Sequence, residues 1–172
     1  VSLSSSRWAK LLSANLTAKT TPAAPITDAG ALNDIRVAPL VETRWSQTTA
    51  NLKDDGEECY NYYTPWTMGG NGQVRAPSGC TATALAQTMR YFKYPQDEVP
   101  SEIALCTVDG IEMYLQTVGG FFKWDEMIAE PHNGCTEDNR EAIGHLTYDV
   151  GVLIGSDYTA SETGALLYKI PS

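Results

Sequence analysis

Residues 75–95 read Arg75-Ala-Pro-Ser-Gly-Cys80-Thr-Ala-Thr-Ala-Leu-Ala-Gln-Thr-Met-Arg-Tyr-Phe-Lys-Tyr-Pro95. Pro77 and Gly79 predict a loop that delivers Cys80 to the first turn of a helix. Small residues follow the cysteine, so the thiol end of the helix is uncrowded. This arrangement is typical of a thiol presented as a nucleophile. The alternative is a small buried residue that happens to precede a helix.

The helix itself is predicted over residues 80–91, as part of an α+β domain. Arg90 and Lys93 near its end, followed by Pro95, are typical of a helix C-terminus. Its apolar residues recur at helical spacing and predict a buried stripe, which consists of Leu85, Met89 and Phe92.

A thiol must be ionised to attack a carbonyl carbon, and the unpaired N–H groups of a helix N-terminus favour the anion. The oxyanion that develops needs hydrogen-bond donors. The backbone N–H of Cys80 is one candidate, and an amide side chain such as that of Gln47 would serve as the other. The alternative for Gln47 is an ordinary surface polar residue after Trp45.

The net charge of −9 excludes some partners. Nucleic acids and anionic membrane surfaces both attract Lys and Arg, so neither is expected to bind this chain. No apolar run approaches the roughly 20 residues that a membrane span needs. No signal peptide is visible, and a start at Val1 rather than at Met predicts removal of an upstream segment.

The chain has four cysteines and no C-x-x-C motif, so neither a zinc ribbon nor a thioredoxin motif is expected. With Cys80 set aside as a nucleophile, three remain, and the pairing among them is open. We predict a Cys106–Cys135 disulfide, with Cys59 as a free thiol. No cofactor and no metal are expected. The acidic run at residues 54–58 lacks the alternating ligands of a calcium loop and predicts a solvated turn.

Residues 1–36 differ in composition from the rest of the chain. Residues 4–16 have apolar spacing that predicts a short amphipathic helix, and residues 17–31 are rich in Thr, Ala and Pro, as linkers are. This segment is predicted to be a propeptide tail or processing linker, the alternative being a flexible tail. The domain proper is predicted over residues 37–172.

The segments on either side of the nucleophile helix complete the predicted domain. Residues 51–71 predict a loop whose aromatic side chains either line a substrate groove or are covered, namely Tyr60, Tyr62, Tyr63 and Trp66. Residues 103–124 predict a β-hairpin that turns at Asp109-Gly110, with the strand pattern resuming at residues 121–124.

A second helix is predicted over residues 137–150. Asp138 and Glu141 have the spacing of a capping box, and Gly151 is expected to end the helix.

Two blocks resemble the streptopain (C10) family of bacterial cysteine peptidases. The first is Val37-x-Pro39-Leu40-x-x-Thr43-x-Trp45-x-Gln47, and the second is Gly79-Cys80-x-Ala82-Thr83-Ala84-x-Ala86-Gln87-x-Met89-x-Tyr91-x-x-Tyr94-Pro95. Later segments agree with the family pattern, at residues 122–125, 149–151, 157–158 and 161–165. The resemblance therefore covers about residues 37–165.

The resemblance implies a papain-like fold, with a helical subdomain that carries the nucleophile helix and a β-hairpin. It implies a secreted zymogen that cleaves proteins or peptides, with Cys80 as the nucleophile and Gln47 in the oxyanion hole. Residues 1–36 would then be the end of a propeptide.

The family's catalytic His lies far downstream of its Cys, by about 130–150 residues in papain-like peptidases generally. That distance places it beyond Ser172. His132, in a loop, and His145, on the second helix, are predicted to be solvated or packed rather than catalytic.

The chain therefore resembles the Cys-bearing N-terminal part of a peptidase whose His-bearing β part is absent from it. We predict a secreted cysteine endopeptidase that is active only with a second segment, from the same precursor, that supplies the His. The alternative is a non-catalytic, peptidase-derived binding or inhibitor-like module.

Overall fold

The structure is a computed structural model that describes residues 39–50 and 56–165, all within one compact unit, Pro39–Ser172. The predicted helix at residues 4–16, the linker and residues 54 and 55 of the acidic run lie outside the described residues. The elements are β1 (Trp66–Gly69), β2 (Gly72–Arg75), α1 (Cys80–Phe92), β3 (Ile103–Val108), β4 (Ile111–Gln116), a 3₁₀ turn (Pro131–Asn133), α2 (Glu137–Leu153), β5 (Asp157–Tyr158) and β6 (Thr163–Gly164).

Helix α1 forms where the sequence predicts it and runs to Phe92, with Lys93 as the C-cap in the left-handed conformation. Its buried face consists of the small residues Ala82, Thr83 and Ala86. The predicted stripe is wrong at Phe92, which is 67% exposed. Small side chains allow close approach of neighbouring elements, so the helix is held in the core by its alanines.

Helix α2 begins as predicted, but the capping residues differ. Thr136 and Asn139 form the capping box, so the prediction of Asp138 and Glu141 is wrong. The predicted end at Gly151 is also wrong, because the helix continues to Leu153. A Cβ at Gly151 would collide with the hydroxyl of Tyr158. The glycine therefore serves packing rather than termination.

Two hairpins flank the helices. In the predicted hairpin, β3 pairs with β4, and Asp109 and Gly110 adopt φ angles of 50° and 78°, as a tight two-residue turn requires. Residues 121–124 do not resume a strand; Phe122 instead enters the core. Residues 66–69, predicted as loop, form β1 and pair with β2 around Gly70-Asn71, a turn that the clustered glycines signal.

The sheet order is β4-β3-β5-β6. Strand β5 runs parallel to β3, because α2 crosses back between β4 and β5. One hydrophobic cluster joins α1 to the inner face of α2, with Ile143 and Leu146 fully buried. A second cluster joins the end of α2 to the sheet through Val152 and Tyr158. Helix α2 therefore holds the nucleophile helix and the sheet together.

The aromatic loop is covered rather than open. Tyr60 is buried, and the hydroxyls of Tyr62 and Tyr63 donate to Glu137 and Glu141 of α2, at 3.3 and 3.0 Å. Trp66, predicted to lie in the same loop, lies on β1, half-exposed beneath the guanidinium of Arg75.

The predicted Cys106–Cys135 disulfide is wrong. Cys106 is buried between the sheet and α2, where its thiol donates to the carbonyl of Val152 at 3.6 Å. Cys135 is a free thiol that packs against the other cluster. Within the described ranges, no helix is both long enough and apolar enough to cross a membrane.

Candidate active site

Cys80 and Gln47, the two site residues predicted from sequence, line the same cleft. Cys80 is exposed at the first residue of α1, and Gln47 lies on the segment that runs beside this helix. The cleft has a volume of about 630 Å³. Its lining consists of Arg44, Trp45, Ser46, Gln47, Cys80, Thr83, Ala84, Gln87 and His132.

The N-terminus of α1 has no side-chain cap and no acidic residue in its first turn. Gly79 is the N-cap, with φ of 91° and ψ of 144°, and no side chain caps the helix. No acidic residue lies in the first turn, so the partial positive charge of the helix N-terminus is not offset there. A negative charge that forms beside Cys80 is therefore stabilised by the helix.

A buried network fixes the backbone of Gln47 against this helix. The N–H of Ser78 donates to the carbonyl of Gln47 at 2.8 Å. The hydroxyl of Thr83 donates to the carbonyl of Gly79 at 2.8 Å. The same hydroxyl lies 3.4 Å from the carbonyl oxygen of Ser46. Hydrogen bonds therefore join the segment that carries the amide to the loop that carries the thiol.

Gln87 anchors the same segment further down the helix, a role that sequence reasoning missed. Its side-chain oxygen accepts from the hydroxyl of Thr43 at 2.8 Å and from the N–H of Trp45 at 3.5 Å. Gln87 follows Cys80 by seven residues, two turns, so both lie on one face of α1. That spacing is the signal that could have found it.

The two histidines have different surroundings. His132 lies on the 3₁₀ turn and lines the cleft with Cys80, with its Nε2 3.9 Å from a carboxylate oxygen of Glu130. His145 packs against Phe122, and its Nε2 lies 3.2 Å from Asp149. Sequence spacing gave no sign that His132 would reach the cleft.

Asp149 is held in turn by the peptide N–H groups of Val118 and Gly119, at 2.7 and 3.0 Å. The His145–Asp149 pair therefore joins α2 to the loop after β4, away from the cleft. Across the described part of the chain, no group of three or more His, Cys, Asp and Glu side chains is arranged to hold a metal ion.

Solved structures with a similar fold are cysteine peptidases. Active wild-type interpain A from Prevotella intermedia matches with a TM-score of 0.60 and 26% identity, over 76% of this chain and 50% of that one. A mutant fragment of prointerpain A matches with a TM-score of 0.60 and 25% identity, over 76% of this chain and 39% of that one. The fold is therefore the papain-like fold predicted from sequence.

The sequence model of the peptidase C10 family matches residues 55–172. The chain thus belongs to the peptidase C10 family. The thiol protease/hemagglutinin PrtT from Porphyromonas gingivalis is 26% identical over 149 residues, which is 85% of this chain and 17% of that protein. The chain therefore spans half the length of the interpain A chain and a smaller share of PrtT.

Proposed function

We propose that this chain supplies the nucleophile of a secreted cysteine endopeptidase, with Cys80 as the attacking thiol and Gln47 in the oxyanion hole. One observation carries the proposal: an exposed thiol at a helix N-terminus shares a cleft with an amide side chain whose backbone is fixed to the thiol's own loop. Membership of a peptidase family supports it.

In the proposed reaction, the Cys80 thiol gives its proton to an imidazole, and the resulting thiolate attacks the carbonyl carbon of the scissile peptide bond. The oxyanion of the tetrahedral intermediate accepts hydrogen bonds from the Cys80 N–H and the Gln47 side-chain amide. Collapse expels the amine, which takes a proton from an imidazolium, and leaves a thioester on Cys80. Water, deprotonated by the imidazole, then hydrolyses the thioester and restores the thiol.

The imidazole is proposed to come from a second segment of the same precursor, because the cleft face of α1 is open to a partner. Apolar side chains at the end of this helix support the proposal: Tyr91 and Phe92 are both exposed. Residues 1–36 are proposed to be a propeptide tail or processing linker, and residues 37–172 the N-terminal portion of the peptidase domain.

The test is covalent labelling with an epoxide-type cysteine peptidase inhibitor, in a preparation that also contains the His-bearing segment. The wild-type complex is expected to gain one inhibitor adduct at Cys80, located by peptide mass mapping. Cys80→Ala is expected to lose it, while Cys135→Ala serves as a matched control and keeps it. A complete complex with Cys80 unlabelled would contradict the proposal.

Intact-mass measurement of the native preparation separates this function from a non-catalytic binding or inhibitor-like module. A second polypeptide of comparable size supports the peptidase. A monodisperse, well-folded single chain with no partner and no reactive Cys80 supports the module.

A further inference from the structure

Acidic side chains are missing from the described lining of the cleft that holds Cys80, although the chain has 21 of them and a net charge of −9. The lining instead contains one arginine, Arg44, and one histidine, His132. The N-terminus of α1 adds partial positive charge at the Cys80 end. The cleft is therefore suited to a negatively charged ligand, in contrast to the acidic chain as a whole. The mechanism proposed above uses neither Arg44 nor His132.

Glu130 lies between these two side chains and is not itself part of the cleft lining. One of its carboxylate oxygens lies 3.2 Å from Nε of Arg44, and the other lies 3.9 Å from Nε2 of His132. A guanidinium has five N–H donors, and the contact with Glu130 is made through Nε. The Arg44 side chain is 74% exposed, so the N–H groups of its terminal nitrogens can reach a ligand in the cleft.

Two hydrogen bonds hold the segment of Arg44 against the segment that leads to His132. The peptide N–H of Arg44 donates to the carbonyl of Ala129 at 2.9 Å. The indole N–H of Trp45 donates to the carbonyl of Ile128, also at 2.9 Å. Arg44 and His132 therefore belong to one wall of the cleft.

Arg44 lies at a distance from Cys80 that a short peptide can span. Gln87 follows Cys80 by seven residues, so it lies about 10 Å further along α1. Its side-chain oxygen accepts from the N–H of Trp45, the residue after Arg44, at 3.5 Å. An extended peptide advances about 3.3 Å per residue. A substrate residue roughly three positions from the scissile bond can therefore reach Arg44.

We propose that Arg44 determines substrate specificity by binding a carboxylate of the peptide, roughly three residues from the scissile bond. An acidic side chain and a C-terminal carboxylate share this chemistry, and a guanidinium binds either through parallel N–H···O bonds. Since a peptide must occupy the cleft around Cys80, this role of Arg44 rests on the proposed function. The preferred substrates are acidic peptides.

The experiment measures the rate at which peptide alkylating agents modify Cys80 in the full chain at low ionic strength, with the modified cysteine located by peptide mass mapping. Bromoacetyl peptides extend from the reactive carbon to the leaving-group side of the cleft, and peptidyl chloromethyl ketones extend to the acyl side. Both series carry Asp or Asn at the second, third or fourth position, and the bromoacetyl peptides also end in an acid or an amide. Alkylation needs only the thiolate of Cys80, so it proceeds without the imidazole of the proposed second segment.

At one position the carboxylate peptide is expected to react about 2–5 times faster than its amide counterpart, which is the size of effect that an exposed ion pair has. The advantage is expected to fall at roughly 1 M salt. Faster reaction with Asp than with Asn identifies an acidic side chain as the ligand, and faster reaction with the terminal acid alone identifies the chain end. Equal rates for all carboxylate and amide peptides overturn the role of Arg44 and leave the proposed function intact. Failure of every reagent to modify Cys80 contradicts both.

Two variants separate Arg44 from net charge. Arg44→Gln is expected to bring the ratio of the two rates to about one. Lys123→Gln is the matched control, because it removes the same charge outside the cleft lining, where Lys123 lies 3.5 Å from the carboxylate of Glu141 on α2. This control is expected to keep the advantage, and circular dichroism checks that both variants are folded. A ratio that survives in Arg44→Gln, or that is lost equally in both variants, overturns the proposal.

Discussion

Gly79 sets the position of the candidate nucleophile. Its φ of 91° lies in a region that L-residues with a side chain rarely adopt. A Cβ there would also lie 2.9 Å from the carbonyl oxygen of Thr163. Absence of a side chain therefore lets the loop turn sharply into α1 while the strand β6 packs directly behind it.

Gly79→Ala is expected to destabilise the chain by about 2–4 kcal/mol, since it adds backbone strain and a clash with a main-chain atom. Urea denaturation measures the change. Gly70→Ala is the matched control, because no atom lies within 4 Å of a Cβ at that position, and its effect is expected to stay within about 0.5 kcal/mol. Equal effects of the two substitutions would show that the loop can relax.

Helix α2 carries much of the packing, and Gly144 shows how closely other segments approach it. A Cβ at this position would overlap the Cβ of Tyr62 and lie 2.7 Å from the carbonyl oxygen of Cys59. One helical turn away, the hydroxyl of Thr147 donates to the carbonyl of Tyr60 at 2.6 Å. The segment before β1 thus lies against the bare backbone of the helix.

Gly144→Ala is expected to destabilise the chain by about 3 kcal/mol despite the higher helix propensity of alanine, because a main-chain atom stands in the way. Chemical denaturation followed by far-UV circular dichroism provides the measurement. Gly164→Ala, at an exposed strand position with open space around the Cβ, is the control and is expected to be nearly neutral. A neutral or stabilising Gly144→Ala would contradict the close packing of α2.

A buried thiol and a buried tyrosine hydroxyl make the stability of the whole molecule depend on pH in the alkaline range. Burial is the first cause that raises the pKa of both Cys59 and Tyr60 to about 12. Their ordinary values are 9.0 and 10.0, so between about pH 9 and 12 the folded state holds more protons than the unfolded state. Stability is therefore fully present below about pH 8 and falls as the pH rises through this window.

We expect the free energy of unfolding of the reduced chain to fall between about pH 9 and 11, by at most roughly 1.4 kcal/mol per pH unit for each such group. Urea unfolding at about pH 7, 9 and 10.5, in the presence of a reductant, measures this slope. Tyr60→Phe removes one of the groups and is expected to flatten it. A wild-type stability that stays constant up to about pH 10.5 would refute the assignment.

Local features could be predicted from sequence because they depend on neighbours in the chain. The span of α1 follows from its apolar spacing and from Pro95 beyond its end. The hairpin turn at Asp109-Gly110 follows from the need for two positive φ angles. The capping box of α2 was less predictable, because Thr136 and Asp138 both have side chains able to cap, and the backbone geometry at the helix start selects the first.

Features that depend on distant segments were missed or wrong. Phe92 has the spacing of a core residue, yet no described element covers it, and it is exposed. Gly151 looks like a helix terminator, but the packing of Tyr158 accounts for it. Neither outcome is encoded within a few residues of the position concerned.

The sequence by itself determined that Cys80 begins a helix, since loop, glycine and apolar spacing all lie within one short stretch. Only the tertiary structure decided which side chains share a cleft with it. Gln47 and His132 reach that cleft through long-range contacts. The peptide N–H of Ser78 donates to the carbonyl of Gln47, and the peptide N–H of Arg44 donates to the carbonyl of Ala129, three residues before His132, at 2.9 Å. Such contacts depend on the packing of whole elements, and no local pattern specifies them.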